Sequence, residues 1–167
     1  AALQEDVDAV ATSAIREATN ARAFLRRVQK RTGLPIRVLS REDEARYGYL
    51  AAVNSTTLQD GLMLDLGGGS MQLVEVRGRH AERSDSWRLG AVRMTERFLP
   101  GGEPVGAKQL ARLREHVARK LADAPWLGDA GPHIVGVGGT VRNLGTQNGL
   151  PCRNIEDSVW AGDGALW

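Results

Sequence analysis

A single cysteine, Cys152, in 167 residues excludes an internal disulfide framework and a cysteine-based zinc cluster. One thiol fits a reducing compartment, and the cytoplasm is the expected location. No stretch approaches 18 consecutive apolar residues, so no membrane-spanning helix is expected. The opening AALQEDVDAVATS lacks the basic-then-apolar pattern of a secretory leader. Charge of one sign is also missing: 22 Lys and Arg against 20 Asp and Glu leave +2 at neutral pH, and no long single-sign run points to nucleic acid or membrane as partner. Lysine is scarce, 3 against 19 arginines. Two readings of that bias are open, genome base composition and the fork that Arg presents to phosphate oxygens, and the first is the expected one. The four tryptophans at 87, 126, 160 and 167 are scattered and form no base-stacking platform. An initiating Met is absent as well, and the chain is expected to be a piece of something longer.

What is present is globular: 42% hydrophobic and 25% charged residues, at a length for one domain or two small ones. Residues 7–12 read as a strand, with Thr12 and Ser13 as N-cap types before a helical stretch. Phe24, Leu25 and Val28 then recur at helical spacing until Gly33 and Pro35 stop the second helix. Residues 36–40 read as another strand, and Ser40 is placed to cap a helix with Asp43 three residues on. Strand, helix, strand, helix is an α/β pattern with parallel pairing. The rhythm then changes. Residues 61–66, 70–78 and the segment around 79–92 are strand-like runs punctuated by glycine, which predicts hairpins of an antiparallel or mixed sheet. Helices are predicted over 92–99 and 107–124, the latter with Leu110, Leu113, Val117 and Leu121 as a core-facing stripe. The strand 133–137 runs into a further helix.

Two glycine clusters carry candidate chemistry. In LDLGGGSMQL, Asp65 ends a strand before Gly67, Gly68, Gly69 and Ser70. Three glycines permit positive φ and expose consecutive N–H groups, an arrangement suited to an anion. In VGVGGTVRNL, Gly138, Gly139 and Thr140 open a helix, whose free N–H groups and dipole also favour an anion. Neither cluster is a Walker or Rossmann motif, since GK[ST] and the third fingerprint glycine are missing. A carboxylate beside a phosphate cradle repels phosphate unless a cation lies between them or it orients a water, so Asp65 points to phosphoryl chemistry with a divalent metal; otherwise it caps the turn. Glu42, Asp43 and Glu44 open a helix, where acids meet its dipole favourably; one of them acting as a general base is the alternative. Arg16 suits either a phosphate contact or an ion pair. His80 and His116 fall on predicted polar faces and His133 starts a strand, with no metal or triad spacing.

Together VATSAIREATN, REDEARYGYLA, LDLGGGSMQLVEV, LGAVRMTERFL and GVGGTVRNL, in this order, resemble the exopolyphosphatase and guanosine pentaphosphate phosphohydrolase (Ppx/GppA) family to about residue 147. The resemblance implies an actin-like ATPase fold of two ribonuclease-H-like α/β domains with mixed sheets flanked by helices and a cleft between them. Residues 1–47 would end the first domain and 48–167 form an incomplete second. It implies release of terminal orthophosphate from polyphosphate or guanosine pentaphosphate, Mg²⁺ or a similar cation, and a homodimer for the full-length protein. Carried over by position, Glu44 activates the attacking water, Asp65 precedes the phosphate turn Gly67–Ser70 and serves the metal, Arg16 faces the cleft, and Gly138, Gly139 and Thr140 form the second phosphate loop. Two departures stand out. The family usually reads GGGSTE where this chain has GGGSMQ, so Gln72 replaces a carboxylate. The family's opening Asp-x-Gly-Ser-type loop has no match. A non-catalytic polyphosphate- or nucleotide-binding module is the alternative reading.

Overall fold

The computed structural model describes residues 7–101, 104–149 and the strand at 160–161. Cys152, Arg153, Trp167 and the side chain of Trp160 lie outside the described residues. The chain divides into two units, Ala1–Glu44 and Ala45–Trp167. No described helix is long and apolar enough to cross a membrane.

In the first unit, strand β1 (Ala9–Ala11), helices α1 (Ser13–Arg16) and α2 (Ala21–Thr32), and strand β2 (Ile36–Val38) form a β–α–β arrangement. The strands pair in parallel, Ala9 opposite Ile36 and Ala11 opposite Val38. Thr12 occupies the N-cap position of α1 but only its carbonyl is engaged, accepting from the Ile15 and Arg16 N–H groups. Helix α2 stops where expected: Gly33 adopts φ 74°, and its N–H reaches the Gln29 carbonyl. Helix α3 (Arg41–Ser55) starts on a genuine cap, the Asp43 N–H donating to Ser40 Oγ at 2.9 Å. Glu42, Asp43 and Glu44 occupy its first turn.

The second unit contains the rest of α3 and then β3 (Gly61–Leu66), β4 (Met71–Arg77), β5 (His80–Trp87), α4 (Ala91–Phe98), α5 (Ala107–Leu121), a 3₁₀ turn (Pro125–Asp129), β6 (Ile134–Val137), α6 (Gly139–Gln147) and β7 (Trp160–Ala161). The sheet order is β5-β4-β3-β6-β7, with β3 and β6 parallel and the other pairs antiparallel. This is the mixed sheet that the glycine-punctuated runs predict. Alternation along the strands sends Met63, Val74 and Val76 to one face, where they pack with Ala45, Ala52 and Val53 of α3. Met71 and Leu73 face the other way, with Leu64 and Leu66, against Met94 and Phe98 of α4 and Leu113, Val117 and Leu121 of α5. Both faces are thus covered by helices, and the strand ends remain available for loops.

Three features depart from the sequence reading or were not visible to it. Leu110, expected in the core stripe of α5, is 37% exposed; Leu113, Val117 and Leu121 carry the packing. His116, placed on a polar face by periodicity, is instead buried, its ring 5.1 Å from that of Phe98, and Arg119 Nη2 lies 3.2 Å from its Nδ1. The ring fills the α4–α5 junction because Phe98 sits opposite it, which spacing along α5 alone does not reveal. Glu75, in the middle of β4, is 1% exposed and held by Arg77 and Arg83, and the Arg83 bond more than offsets burial to keep its carboxyl below the ordinary range. Arg83 also lies over the Trp126 ring, tying the sheet to the 3₁₀ turn.

Arg79 closes the other end of α3. At φ 68° it is the non-glycine residue with positive φ among those described. Its guanidinium donates to the carbonyls of Val53, Thr56 and Leu58 while its own carbonyl accepts from Tyr49 Oη at 2.7 Å. The cation and its donors thereby satisfy carbonyls that a helix C-terminus leaves open.

Burial, and then the positive charges of Arg97, Arg119 and Lys120, push the His116 imidazole below its ordinary value of 6.5. Below that value the unfolded chain binds a proton that the folded chain resists, so folding stability is full at neutral pH and declines as pH falls through about 6.5. Urea unfolding from pH 8 to pH 5 is expected to show this loss, and His116→Gln should flatten it. A decline equally steep in the variant would assign the pH dependence to other groups.

Candidate functional site

The parallel pairing of β3 and β6 brings the two glycine loops to the same end of the sheet. Asp65 stands opposite Val137 on β6 and opposite Gln72 on β4, so the residues that follow β3 and β6 leave side by side. Gly138 continues from Val137 at φ 90°, and a Cβ there would lie 3.1 Å from Asp65 Oδ1. Both the left-handed backbone and the close approach require glycine. On the helix side, Gly48 of α3 sits over the same carboxylate, a Cβ there falling 3.7 Å from Oδ2. Asp65 is therefore a strand residue whose carboxylate lies between two glycines, Gly48 and Gly138.

The triple-glycine turn works differently from the sequence expectation. None of Gly67, Gly68 and Gly69 has a positive φ. Their value lies in packing: the turn is pressed against the start of α4. The Gly67 carbonyl accepts from the Ala91 N–H at 2.9 Å and the Gly68 carbonyl from the Arg93 N–H at 3.1 Å. The Gly69 carbonyl accepts from Arg93 Nε at 2.9 Å, and the Gly67 N–H closes the turn onto the Ser70 carbonyl at 3.0 Å. In a planar trans peptide the carbonyl and the following N–H point opposite ways. Directing three successive carbonyls onto α4 therefore turns the N–H groups of Gly68, Gly69 and Ser70 to the other side. Such a run of N–H groups is suited to an anion. Ser70 and Gln72 behind it are buried, and Gln72 Nε2 donates to Ser70 Oγ at 3.0 Å.

At the second loop, Gly138 caps α6, and the Arg142 N–H returns to its carbonyl at 3.2 Å. Strand and helix pack tightly because Gly136 lacks a side chain, a Cβ there meeting Val141 Cγ1 at 2.5 Å. The start of α6 offers its first-turn N–H groups at Gly139 and Thr140, beside the Asp65 carboxylate.

The remaining predicted site residues belong to the first unit and meet each other. Arg16 Nη2 donates to Glu44 Oε2 at 2.9 Å and Arg16 Nη1 to the Leu39 carbonyl at 2.8 Å. The pair is 18% and 13% exposed, and Arg16 Nε is buried without a hydrogen-bond partner. The adjacent Glu17 pairs instead with Arg41 at 3.5 Å.

Among the described residues no group of three or more His, Cys, Asp or Glu side chains is arranged to hold a metal ion. Asp65 supplies one carboxylate, and Gln72, its cross-strand neighbour, supplies none. That donor set fits a Mg²⁺ completed by phosphate oxygens and water, a common mode for this ion, and does not fit an all-protein cage.

Sequence reasoning passed over Gly90 and Arg93, which shape the first loop. A Cβ on Gly90 would fall 2.3 Å from the Gly68 carbonyl carbon. The available signal was LGAVR, a glycine where a helix of this kind ordinarily takes a Ser, Thr or Asp cap.

An α/β sheet whose adjacent parallel strands end in two glycine loops beside one carboxylate defines a class of folds suited to holding an anion. Within it the chain belongs to the Ppx/GppA phosphatase family, which matches residues 2–149. It is 39% identical over 151 residues to an uncharacterised protein of Streptomyces coelicolor, covering 86% of this chain and 44% of that one. It is 40% identical over 118 residues to exopolyphosphatase 1 of Mycobacterium leprae, covering 70% of this chain and 34% of that one. The crystal structure of the Aquifex aeolicus Ppx/GppA family member superimposes with a TM-score of 0.67 at 35% identity, covering 86% of this chain and 46% of that chain. The chain thus spans less than half the length of these relatives.

Proposed function

We propose that the chain is the phosphate-holding part of a hydrolase that releases terminal orthophosphate from a phosphoanhydride, inorganic polyphosphate or guanosine pentaphosphate. The observation that carries this reading is the capture of the Gly67, Gly68 and Gly69 carbonyls by α4, which turns three successive N–H groups outward next to Asp65 and the second glycine loop. Family membership, and the name exopolyphosphatase for the Mycobacterium leprae relative, support the substrate class.

In this reading the N–H groups of Gly68, Gly69 and Ser70, with those opening α6 at Gly139 and Thr140, hold the phosphate oxygens and stabilise charge as it develops. Asp65 with the substrate's own oxygens would hold Mg²⁺, which supplies charge neutralisation when bound. Glu44 takes the proton of the attacking water, its carboxylate oriented by Arg16. A second reading, binding without hydrolysis, is favoured by Gln72, whose amide occupies a position where the family usually has a carboxylate.

The test is orthophosphate release with Mg²⁺ from long-chain polyphosphate and from guanosine pentaphosphate. It is run on this chain and on one extended upstream with a family-type Asp-x-Gly-Ser loop. Release by the extended chain is expected. Tight polyphosphate binding without release by either would establish the second reading.

A further inference from the structure

We propose that Arg93 is a positioning residue whose side chain sets the orientation of the Gly69–Ser70 peptide, and with it whether the loop presents two or three N–H groups to a phosphate. The inference rests on the phosphate-binding reading of this loop. The first two peptides of the turn are held by main-chain donors, Ala91 N–H to the Gly67 carbonyl and Arg93 N–H to the Gly68 carbonyl. Any residue other than proline supplies those bonds. The third is different in kind. The Gly69 carbonyl is held by Arg93 Nε at 2.9 Å, a side-chain bond from a half-buried guanidinium. Gly69 has no Cβ, so the Gly69–Ser70 plane meets little steric resistance to rotation. Released, it can turn its carbonyl toward the anion and its N–H away, exchanging an attraction for a repulsion at the same spot. The guanidinium donor is charged, which makes it the stronger kind of tether, and its charge adds to the field at the loop.

The experiment titrates inorganic tripolyphosphate into this chain, reading affinity by calorimetry and the ¹H–¹⁵N resonances of Gly68, Gly69 and Ser70 by NMR. The wild-type chain is expected to show shifts at all three amides. R93M keeps the length and the apolar stem but removes the donor. It should bind roughly tenfold more weakly, the worth of one such hydrogen bond, with the Ser70 response lost and those of Gly68 and Gly69 kept. R93K, retaining charge and a donor, should recover most of the affinity. R93L, which carries no donor, should behave as R93M does and serves if the thioether disturbs folding. A purely structural role would depress all three amides together and melt the chain, so the selective loss at Ser70 is the discriminating readout. Wild-type affinity and three responding amides in R93M and R93L would overturn the inference while leaving the phosphate reading intact. Absence of any response in the wild-type chain would remove both.

Discussion

Glu44→Gln is expected to reduce orthophosphate release by about 10²–10⁴-fold, the scale on which a general base contributes, with little change in KM. The substitution is nearly isosteric. The amide oxygen can still accept from Arg16 Nη2, which bonds Glu44 at 2.9 Å, and Arg16 keeps its second bond to the Leu39 carbonyl. What is lost is the negative charge and the ability to take a proton. Glu44→Asp separates the two contributions: charge is kept but the carboxylate retreats by one methylene, and an intermediate loss is expected. Because the pair is only partly exposed, removing the charge also leaves the Arg16 cation less well compensated, so thermal unfolding of both variants should accompany the kinetics. Normal turnover in Glu44→Gln would show that another group activates the water.

The second large effect concerns a residue that carries no chemistry. Gly90→Ala is expected to lower the efficiency of phosphate release by at least about 10²-fold, because displacement of catalytic groups on the ångström scale costs that much. The new Cβ would lie 2.3 Å from the Gly68 carbonyl carbon and 2.4 Å from both its oxygen and the Gly69 carbonyl carbon. These are backbone atoms and cannot swing aside as a side chain does. Either the turn moves outward or the start of α4 recedes, and both outcomes break the bonds from Ala91 and Arg93 that orient the loop. Gly128→Ala is the control, since a Cβ there meets nothing within 4 Å. The two variants should unfold at similar temperatures if the loop alone is displaced. Equal activity in both would show that the turn does not need its contact with α4.

Much of the architecture was legible because local signals were strong and agreed with one another. Glycine and proline punctuate nearly every junction, Ser40 caps the helix it precedes, and the glycine clusters at 67–69 and 138–139 stand directly after apolar strands. Family resemblance selected Glu44 and Arg16, and their direct bond gives those two residues a common physical setting. Long-range packing was not legible. The polar look of α5 around His116 gave no warning that Phe98 would bury it, and a charged residue in the middle of β4 acquires its meaning only when Arg77 and Arg83 arrive on either side.

The same division runs through the site. Sequence alone determined that the chain is α/β, that it has two anion-suited glycine loops, and that one carboxylate stands before the first. Those are consequences of residue type and order, which act over a few bonds. Which way the loop faces was decided by tertiary structure. Residues some twenty positions away, Gly90 by making room and Ala91 and Arg93 by donating hydrogen bonds, turn the carbonyls of Gly67–Gly69 onto α4. The parallel register of β3 and β6 sets Asp65 against Gly138, seventy-three positions along the chain. A peptide plane has no intrinsic preference between its two faces in so glycine-rich a turn, and only packed neighbours can choose one.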